Sequence, residues 1–250
     1  MVQEKTVNKK LLVICGTTAV GKSDFALELS KYLRVEIVSA DSMQIYKSLD
    51  AGTSKPTTQE LSICPHHMVD IVSPFETYNV YQFTNDATKI INDIWARGNL
   101  PIVVGGTGLY IESLINNYNF SDSNKQKLPE CDIRVICLSR DREKLYKRIN
   151  QRVDEMMDRG LLDEVKKLRE IGVNSEHQCM QAIGYKEIWE YLEGNITLDE
   201  AIYNIKINSR HYAKRQITWF GHMDCEYIDV DKDKENTKFD LINYYSEYKK

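Results

Sequence analysis

The first residues able to do chemistry form a phosphate-binding loop near the start of the chain. Eight consecutive residues fit the pattern G-x-x-x-x-G-K-S/T: Gly16, Thr17, Thr18, Ala19, Val20, Gly21, Lys22 and Ser23. The glycines let backbone N–H groups turn onto phosphate oxygens, the lysine adds a cation, and the serine hydroxyl is a ligand for Mg²⁺. The motif lies between a predicted strand and a predicted helix, whose N-terminus favours an anion. It predicts a bound polyphosphate with Mg²⁺, but it does not identify a reaction.

Polar residues also follow two other predicted strands. Asp41 ends the strand "VEIVSAD", and Thr107 lies in the "GGTG" that ends the strand "LPIVVGG". Ligands of open parallel sheets bind at the carboxyl ends of the strands, so both segments are expected beside the phosphate-binding loop. A carboxylate at Asp41 would suit a Mg²⁺ ligand or a general base. The alternative is an aspartate that only caps a turn and glycines that only end a strand.

A cationic helix is predicted after the strand at residues 132–139. Its positive residues are Arg140, Arg142, Lys144, Lys147, Arg148, Arg152 and Arg159. Arg148 and Arg152 are one helical turn apart and share a face. In P-loop transferases, arginines from such a segment close over the phosphates and neutralise charge on the leaving group. The alternative is a solvated charged face, because acidic residues such as Asp154 are interleaved with the cations.

A second cationic helix is predicted over "YNIKINSRHYAKRQITWF". Lys206, Arg210 and Lys214 recur every fourth residue, and Arg215 adjoins them. The interleaved aromatic residues are Tyr203, His211, Tyr212 and Trp219. Cationic stripes follow nucleic-acid backbones while aromatic rings stack on unpaired bases, so this helix is a candidate nucleic-acid surface. A solvated helix face is the alternative.

The elements that must position these residues alternate between strand and helix. Strands are predicted at residues 11–15, 35–41, 100–106 and 132–139, with helices of 3.6-residue periodicity between them. This order predicts an α/β fold of the P-loop NTPase type, in which helices flank a parallel sheet. After about Arg140 the chain is predicted to be mainly helical.

Length and composition fit one large domain. Of the 250 residues, 42% are hydrophobic and 28% charged, as in ordinary globular proteins. We expect a single transferase domain over residues 1–228, with a loop-like interval at 117–130. The charged tail over residues 229–250 is expected to carry a peripheral helix.

Charge, cysteine usage and hydropathy restrict the class of protein further. The net charge is −4, so a nucleic acid would have to bind a local basic patch. Six scattered cysteines without a C-x-x-C pair predict free thiols and no zinc site. No apolar run approaches the roughly 20 residues of a membrane span, and the first residues lack the apolar core of a signal peptide. We therefore expect a monomeric cytoplasmic protein that does not enter a membrane.

These residues leave two interpretations open. In a small-molecule kinase of the shikimate-kinase type, the loop would hold ATP and Asp41 would orient a hydroxyl acceptor. In the other kind of transferase, the loop would grip a diphosphate leaving group while something other than phosphate moves. A switch NTPase is disfavoured, because no apolar strand ending in an aspartate is followed by a recognisable switch pattern.

Seven sequence blocks, taken in chain order, resemble a known family and favour the second interpretation. They are "GTTAVGKS", "VSADSMQIYKSLDAGTSKPT", "PHHMVDIV", "IVVGGTGLY", "KRINQRVDEMMDRGLLDEV", "QAIGYKEIWEYLEG" and "AKRQITWF". Together they closely resemble the tRNA dimethylallyltransferases, also called tRNA isopentenyltransferases, over about residues 11–220. The resemblance implies transfer of a dimethylallyl group from its diphosphate to N6 of the adenosine 3′ of the tRNA anticodon.

The resemblance also implies roles for individual residues. The loop Gly16–Ser23 would hold the diphosphate with Mg²⁺, Asp41 would be the general base on the adenine N6–H, and Thr107 would contact substrate. Arg152 would stabilise the pyrophosphate leaving group. The segments expected to contact tRNA comprise Asp41, Ser42, Met43, Gln44, Gln181, Ala182, Ile183, Gly184, Tyr185, Lys186, Lys214, Arg215 and Gln216.

Two features depart from the family pattern. Thr17 stands where the family usually has proline. Between Tyr110 and Arg152 the family usually carries a helical insertion that clasps the anticodon stem, and here the interval 117–130 is expected to replace it. A relative that prenylates free AMP, ADP or ATP is therefore an alternative. The sequence has no C-terminal zinc-finger pattern, so a bacterial or organellar type of enzyme is expected.

Overall fold

The computed structural model describes residues 9–118 and 126–250, and in them six strands form one sheet. The strands are β1 (Lys10–Gly16), β2 (Val35–Ala40), β3 (His66–His67), β4 (Leu100–Gly105), β5 (Asp132–Ser139) and β6 (Glu226–Asp229). All neighbouring strands are parallel. Their order across the sheet is β3-β2-β4-β1-β5-β6, which brings the ends of β2, β4 and β1 side by side.

Helices connect the strands and cover both faces of the sheet. They are α1 (Lys22–Ser30), α2 (Thr58–Ile63), α3 (Val80–Ala96), α4 (Gly108–Ile115), α5 (Arg142–Asp158), α6 (Leu161–Glu170), α7 (Tyr185–Leu192), α8 (Leu198–Phe220) and α9 (Lys234–Tyr244). Beyond β5 the described chain is helical except for β6. The predicted α/β fold, with a parallel sheet between helices and a mainly helical C-terminal part, is confirmed.

Two strands of the sheet were not predicted. β3 has two residues and β6 has four, and two of the four residues of β6 are exposed. Neither strand is long enough to show an apolar alternation, which is the signal that reveals a strand in a sequence.

Local sequence signals explain where the longer helices begin. The Asn79 side chain accepts a hydrogen bond from the Gln82 N–H at 3.0 Å, and the Gln82 side chain accepts from the Asn79 N–H at 3.0 Å, which starts α3. Thr197 and Glu200 form the same reciprocal pair at the start of α8. Such capping boxes pair two N–H groups that the helix leaves unbonded. The box at Thr197 begins α8, which runs 23 residues to Phe220.

The core has two layers, one on each face of the sheet. Leu11 and Val13 of β1 belong to the layer that contains Phe220, whereas Leu12 and Ile14 belong to the layer that contains α1. All four strand residues are fully buried. A parallel strand buried on both faces reads as a continuous apolar run, and this leaves the loops at the strand ends as the surface available for chemistry.

The last residues of the chain fold back onto the sheet. β6 spans Glu226–Asp229, so the expected boundary between 228 and 229 falls inside a strand. In and after α9, Leu241 and Tyr245 are completely buried. The Tyr248 carbonyl accepts a hydrogen bond from the Arg34 N–H at 2.7 Å. The chain end is thereby tied beside the amino end of β2, at the edge opposite the strand ends discussed below.

The interval 117–130 lies partly outside the described residues, because 119–125 are not among them. Its two described sides are joined at the base. The Asn117 side-chain oxygen accepts a hydrogen bond from the Leu128 N–H at 2.9 Å, and its side-chain nitrogen donates to the Leu128 carbonyl at 3.4 Å. The chain therefore leaves and re-enters the fold at one place.

All six cysteines lie within the described residues, and none forms a disulfide. Within the same residues no helix has the length and apolar character needed to cross a membrane.

Candidate active site

The polar segments predicted at the strand ends meet at one edge of the sheet. The phosphate-binding loop follows β1, the "GGTG" segment follows β4, and Asp41 follows β2. These three strands are adjacent in the sheet, so their carboxyl ends lie together. Arg152, from the helix after β5, and α8 cover this edge from the side.

The phosphate-binding loop has the backbone geometry that its glycines allow. Gly16 and Gly21 have φ angles of 137° and 108°, which side-chain-bearing residues rarely adopt. The Lys22 ammonium group donates to the carbonyls of Gly16 at 3.1 Å and Thr17 at 2.7 Å. Arg148 donates from Nε to the Ala19 carbonyl at 3.0 Å, which holds the cationic helix α5 against the loop.

A cavity of about 280 Å³, here called the P-loop cavity, opens beside this loop. Its cations are Lys22, Lys55, Arg148, Arg152 and Arg159, and its acidic residues are Asp24, Glu60 and Glu155. Lys55 already forms ion pairs with Asp50 and Asp70. Burial, with the positive charge of Arg152 added, lowers the pKa of Lys22 to about 8, against the opposing attraction of Asp41. Burial likewise lowers the pKa of Arg152. Cations held this close destabilise one another, and a polyanion bound among them relieves that cost.

A second cavity of about 230 Å³, here called the Asp41 cavity, lies next to the first. Arg152 lines both cavities. The remaining lining residues of the Asp41 cavity are Thr18, Asp41, Ser42, Met43, Gly52, Thr53, Met156, Gln181, Ala182, Ile183, Ser209, Tyr212 and Arg215. The cavity thus combines one carboxylate and two arginines with an apolar surface that includes two methionines. It can accept a flat or aliphatic group between an acid and a cation.

Asp41 is both a turn cap and a cavity group. Its Oδ1 accepts hydrogen bonds from the N–H groups of Met43 at 2.9 Å and Gln44 at 3.3 Å. Thr107 steadies the same turn, because its Oγ1 accepts from the Ser42 N–H at 3.1 Å. These bonds orient the carboxylate at the mouth of the cavity, while the other oxygen, Oδ2, makes no hydrogen bond within the described chain. The turn-capping alternative and the catalytic interpretation are therefore compatible.

Tyr212 is a neighbour of Asp41 that the sequence indicated only as an aromatic residue of the candidate nucleic-acid surface. Burial, with a smaller contribution from the negative charge of Asp41, raises the pKa of Tyr212 to about 12. The phenol therefore stays protonated near neutral pH and faces the carboxylate as a neutral group. Ser209 and Met156 line the cavity as well. Ser209, Tyr212 and Gln216 are spaced three and four residues apart on α8, so helical spacing alone places Ser209 on the same inward face as the other two.

The predicted tRNA segment at residues 181–186 divides into two kinds of residue. Gln181 and Lys186 are exposed, whereas Ala182, Gly184 and Tyr185 are buried. Tyr185 is fully buried, and its hydroxyl donates to Glu164. Gln181, Ala182 and Ile183 line the Asp41 cavity, so this segment supplies part of the cavity wall.

The cationic stripe of α8 is partly occupied by other residues of the protein. Lys206 forms an ion pair with Asp154 at 2.5 Å. Arg210 lies over the ring of Tyr146, 5.9 Å from its centre. Lys214 and Arg215 are exposed, which leaves them as the cations of this stripe best presented to solvent.

Gln216 and Gln44 lie where the sequence predicts tRNA contacts, yet both bond within the protein. Gln216 is 5% exposed. Its side-chain oxygen accepts from the Thr18 N–H at 2.8 Å, and its side-chain nitrogen donates to the Gly106 carbonyl at 2.9 Å. Gln44 donates to the carbonyls of Thr53 at 3.1 Å and Ser54 at 3.2 Å.

Each glycine of the "GGTG" segment admits a close protein neighbour. A Cβ atom on Gly105 would overlap the Ala40 backbone, one on Gly106 the Gln216 amide, and one on Gly108 the Trp219 indole. The glycines therefore serve packing between β4, β2 and α8, and they bring Thr107 up to the Asp41 turn.

No group of three or more His, Cys, Asp or Glu side chains in the described chain is arranged to hold a metal ion. Ser23 lines the P-loop cavity beside Lys22. Mg²⁺ in nucleotide and phosphate sites takes few protein ligands and completes its shell with phosphate oxygens and water, so one serine hydroxyl beside a polyphosphate site fits that ion.

Comparisons with known proteins agree with this geometry. The family model described as IPP transferase matches residues 44–131 and 119–223. A tRNA dimethylallyltransferase of Anoxybacillus flavithermus is 40% identical over 288 aligned residues, which cover 91% of this chain and 92% of the relative.

Solved structures show the same similarity. The tRNA isopentenylpyrophosphate transferase of Bacillus halodurans superposes with a TM-score of 0.86 at 36% identity, covering 95% of this chain and 96% of that one. A eukaryotic dimethylallyltransferase described as acting on tRNA gives 0.85 at 26% identity, covering 96% of this chain and 79% of that one. With most of its length matched by the family model and by these relatives, the chain belongs to the IPP transferase family.

Proposed function

We propose that this enzyme transfers a dimethylallyl group from dimethylallyl diphosphate to N6 of the adenosine 3′ of the tRNA anticodon, releasing diphosphate. The observation that carries the proposal is the pair of adjoining cavities, with Arg152 lining both. In one of them five cations outnumber three carboxylates, and the other contains Asp41. The names of the relatives favour tRNA prenyl transfer over a free-nucleotide prenyltransferase and over a kinase.

The diphosphate occupies the P-loop cavity. Lys22, Arg152 and backbone N–H groups of the loop Gly16–Ser23 hold its oxygens, except the N–H of Thr18, which is bonded to Gln216. The Ser23 hydroxyl would help to hold Mg²⁺, which would add positive charge that neutralises the leaving group. Gripping the leaving group is the main catalytic task, because the allylic C1–O bond breaks as charge collects on the diphosphate.

The adenine enters the Asp41 cavity as a base removed from its stack. The C1–O bond breaks and its electron pair leaves with the diphosphate, while the N6 electron pair forms the new N–C1 bond. The N6 proton passes to Asp41, whose second oxygen is available for it. The apolar wall, which includes Met43, Met156 and Ile183, excludes water that would otherwise capture the allylic cation.

The tRNA lies across the outer face of the helical part. Lys214, Arg215, Gln181 and Lys186 are exposed beside the Asp41 cavity and provide contacts to phosphates and bases. Because the net charge of the chain is negative, this local patch supplies the electrostatic attraction. The free thiols fit the reducing cytoplasm, where we place the enzyme as a monomer.

We also propose that residues 1–228 form one transferase domain, with residues 229–250 folded onto it, and that the helical insertion is reduced to the interval 117–130. The hydrogen bonds between Asn117 and Leu128 at the base of the interval support this. The alignment with the Anoxybacillus flavithermus relative supports it as well. That alignment spans 288 residues and this chain has 250, so the relative carries residues that this chain lacks. The two family-model matches overlap at residues 119–131.

The decisive test is transfer of label from radiolabelled dimethylallyl diphosphate, with Mg²⁺, to three acceptors in parallel. The acceptors are unmodified tRNA with an A-rich anticodon loop, AMP and ATP. We expect label in the tRNA alone. Label in AMP or ATP would move the enzyme to the free-nucleotide class, and no transfer to any acceptor would return the kinase to consideration.

A further inference from the structure

Gln216 occupies the junction of three elements at the sheet edge. It stands on α8, its oxygen accepts from the Thr18 N–H of the phosphate-binding loop, and its nitrogen donates to the Gly106 carbonyl after β4. We propose that Gln216 is a positioning residue for the prenyl diphosphate donor, although it lies in the segment whose neighbours face the tRNA. The inference rests on the proposed function.

The chemistry of the side chain fits this junction. An amide side chain is neutral and carries its acceptor oxygen and its donor nitrogen on separate atoms, so it can bond a backbone N–H and a backbone carbonyl at the same time. Both bonds have ordinary hydrogen-bond lengths, 2.8 and 2.9 Å, and Gln216 is 5% exposed. A buried N–H or C=O that loses its partner is costly, so Gln216 fixes the loop at Thr18 relative to the end of β4.

The absence of a side chain at Gly106 leaves the space that this amide occupies. A Cβ atom on Gly106 would overlap the nitrogen of the Gln216 side chain. Gly106 adjoins Thr107, which accepts from the Ser42 N–H in the Asp41 turn. The glutamine therefore ties the diphosphate loop and the loop beside the base to one helix. Its burial keeps it from contacting RNA, while the exposed Lys214 and Arg215 carry that role.

The test compares Gln216→Met with Gln178→Met. Gln178 makes the same pair of bonds at another place: its oxygen accepts from the Tyr78 N–H at 2.9 Å and its nitrogen donates to the Tyr78 carbonyl at 2.8 Å. Both variants remove two hydrogen bonds to backbone groups without a change in charge, so thermal unfolding should occur at a lower temperature in both. In Gln216→Met the Gly106 carbonyl keeps the Tyr212 hydroxyl, at 3.5 Å, as a partner. We expect only Gln216→Met to raise the KM for dimethylallyl diphosphate, by about tenfold, with tRNA affinity unchanged.

A second variant, Gln216→Glu, allows the same test if Gln216→Met does not fold. Gln216→Glu keeps the size and the acceptor for the Thr18 N–H, but it opposes the Gly106 carbonyl and adds a negative charge near the diphosphate. Its donor KM should rise more than that of Gln216→Met. A loss of tRNA affinity with an unchanged donor KM would overturn the proposal, and so would equal donor effects in Gln178→Met.

Calorimetric binding of inorganic pyrophosphate in Mg²⁺ buffer separates this inference from the proposed function. Pyrophosphate probes the loop without requiring transfer to any acceptor. If the wild-type protein transfers no label to tRNA, the proposed function fails, yet weaker pyrophosphate binding in both Gln216 variants would still support the positioning role. Unchanged pyrophosphate affinity in both variants would refute it.

Discussion

The two halves of the site use their sequence motifs differently. The sheet edge, comprising residues 16–23, 41–44 and 105–108, acts largely through its backbone, and its glycines and turns set where N–H groups point. The helical wall, comprising residues 181–186 and α8, acts through side chains that alternate between solvent and interior. Lys214 and Arg215 are exposed, whereas the next residue, Gln216, is buried against the loop. A motif on a helix therefore contains two faces with separate functions.

The largest expected effect is at the one side chain of the sheet edge assigned to proton transfer. Asp41→Asn keeps the acceptor for the Met43 and Gln44 N–H groups, so the turn should stay intact. Single-turnover transfer to tRNA should fall by about 10²- to 10⁴-fold, with unchanged thermal unfolding and tRNA affinity. A wild-type rate in Asp41→Asn would leave the sheet edge with binding functions alone.

The outer face of the helical wall should respond in tRNA binding and not in donor binding. Replacing Lys214 and Arg215 together by alanine should weaken tRNA affinity about tenfold and lower the slope of log K against log salt by about 1.5. The matched control removes the same charge at the opposite edge of the sheet, in Lys249→Ala with Lys250→Ala. Equal losses in both double variants would mean that net charge, and not this face, attracts the tRNA.

The pKa of Lys22 gives the sheet edge a pH dependence of its own. Only the protonated lysine attracts diphosphate, and its pKa in the free protein is lowered to about 8. Donor kcat/KM should therefore be half its plateau near pH 8 and fall about tenfold per further pH unit. Since the unfolded chain keeps the proton up to the ordinary lysine pKa, the free energy of unfolding should rise over the same range. A donor profile that stays flat to pH 9.5 would contradict the burial of this ammonium group.

The smallest expected effect concerns the contribution of the Thr17 side chain, in the phosphate-binding loop, to the free energy of unfolding. Thr17 is 6% exposed, and its hydroxyl has no hydrogen-bond partner in the described chain. Thr17→Val removes this unsatisfied group at nearly constant shape, so the free energy of unfolding should increase by about 1 kcal/mol. A chemical-denaturation midpoint below that of the wild type would show that the hydroxyl has a partner.

The sequence predicted the sheet edge better than the helical wall for a physical reason. The loop at residues 16–23 is contiguous, and its backbone conformation is dictated by glycines that any reader of the sequence can see. On α8 the function of a residue depends on which side the helix turns to the sheet. Lys206 was predicted as part of a nucleic-acid stripe, but the pairing with Asp154 depends on α5 packing beside it.

Contacts between distant segments were the least predictable feature. Gln216 and Thr18 are separated by 198 positions, so no local pattern connects them. The strands β3 and β6 were missed because two and four residues are too few to show an alternation. By contrast, the order of the longer strands and helices along the chain was predictable from local patterns. Each buried strand is an apolar run flanked by turn residues, and the helices show a 3.6-residue periodicity.

The neighbours of the "GGTG" segment restrict which amino-acid substitutions the protein can accept during evolution. Gly105, Gly106 and Gly108 each leave space that a partner fills, and the partners belong to β2 and α8. A side chain at position 106 is tolerable only if the residue at position 216 becomes smaller. The same holds for a side chain at position 108 and the residue at position 219. Positions 106 and 216, and likewise 108 and 219, are therefore expected to covary as pairs, and single drift at either member should be selected against.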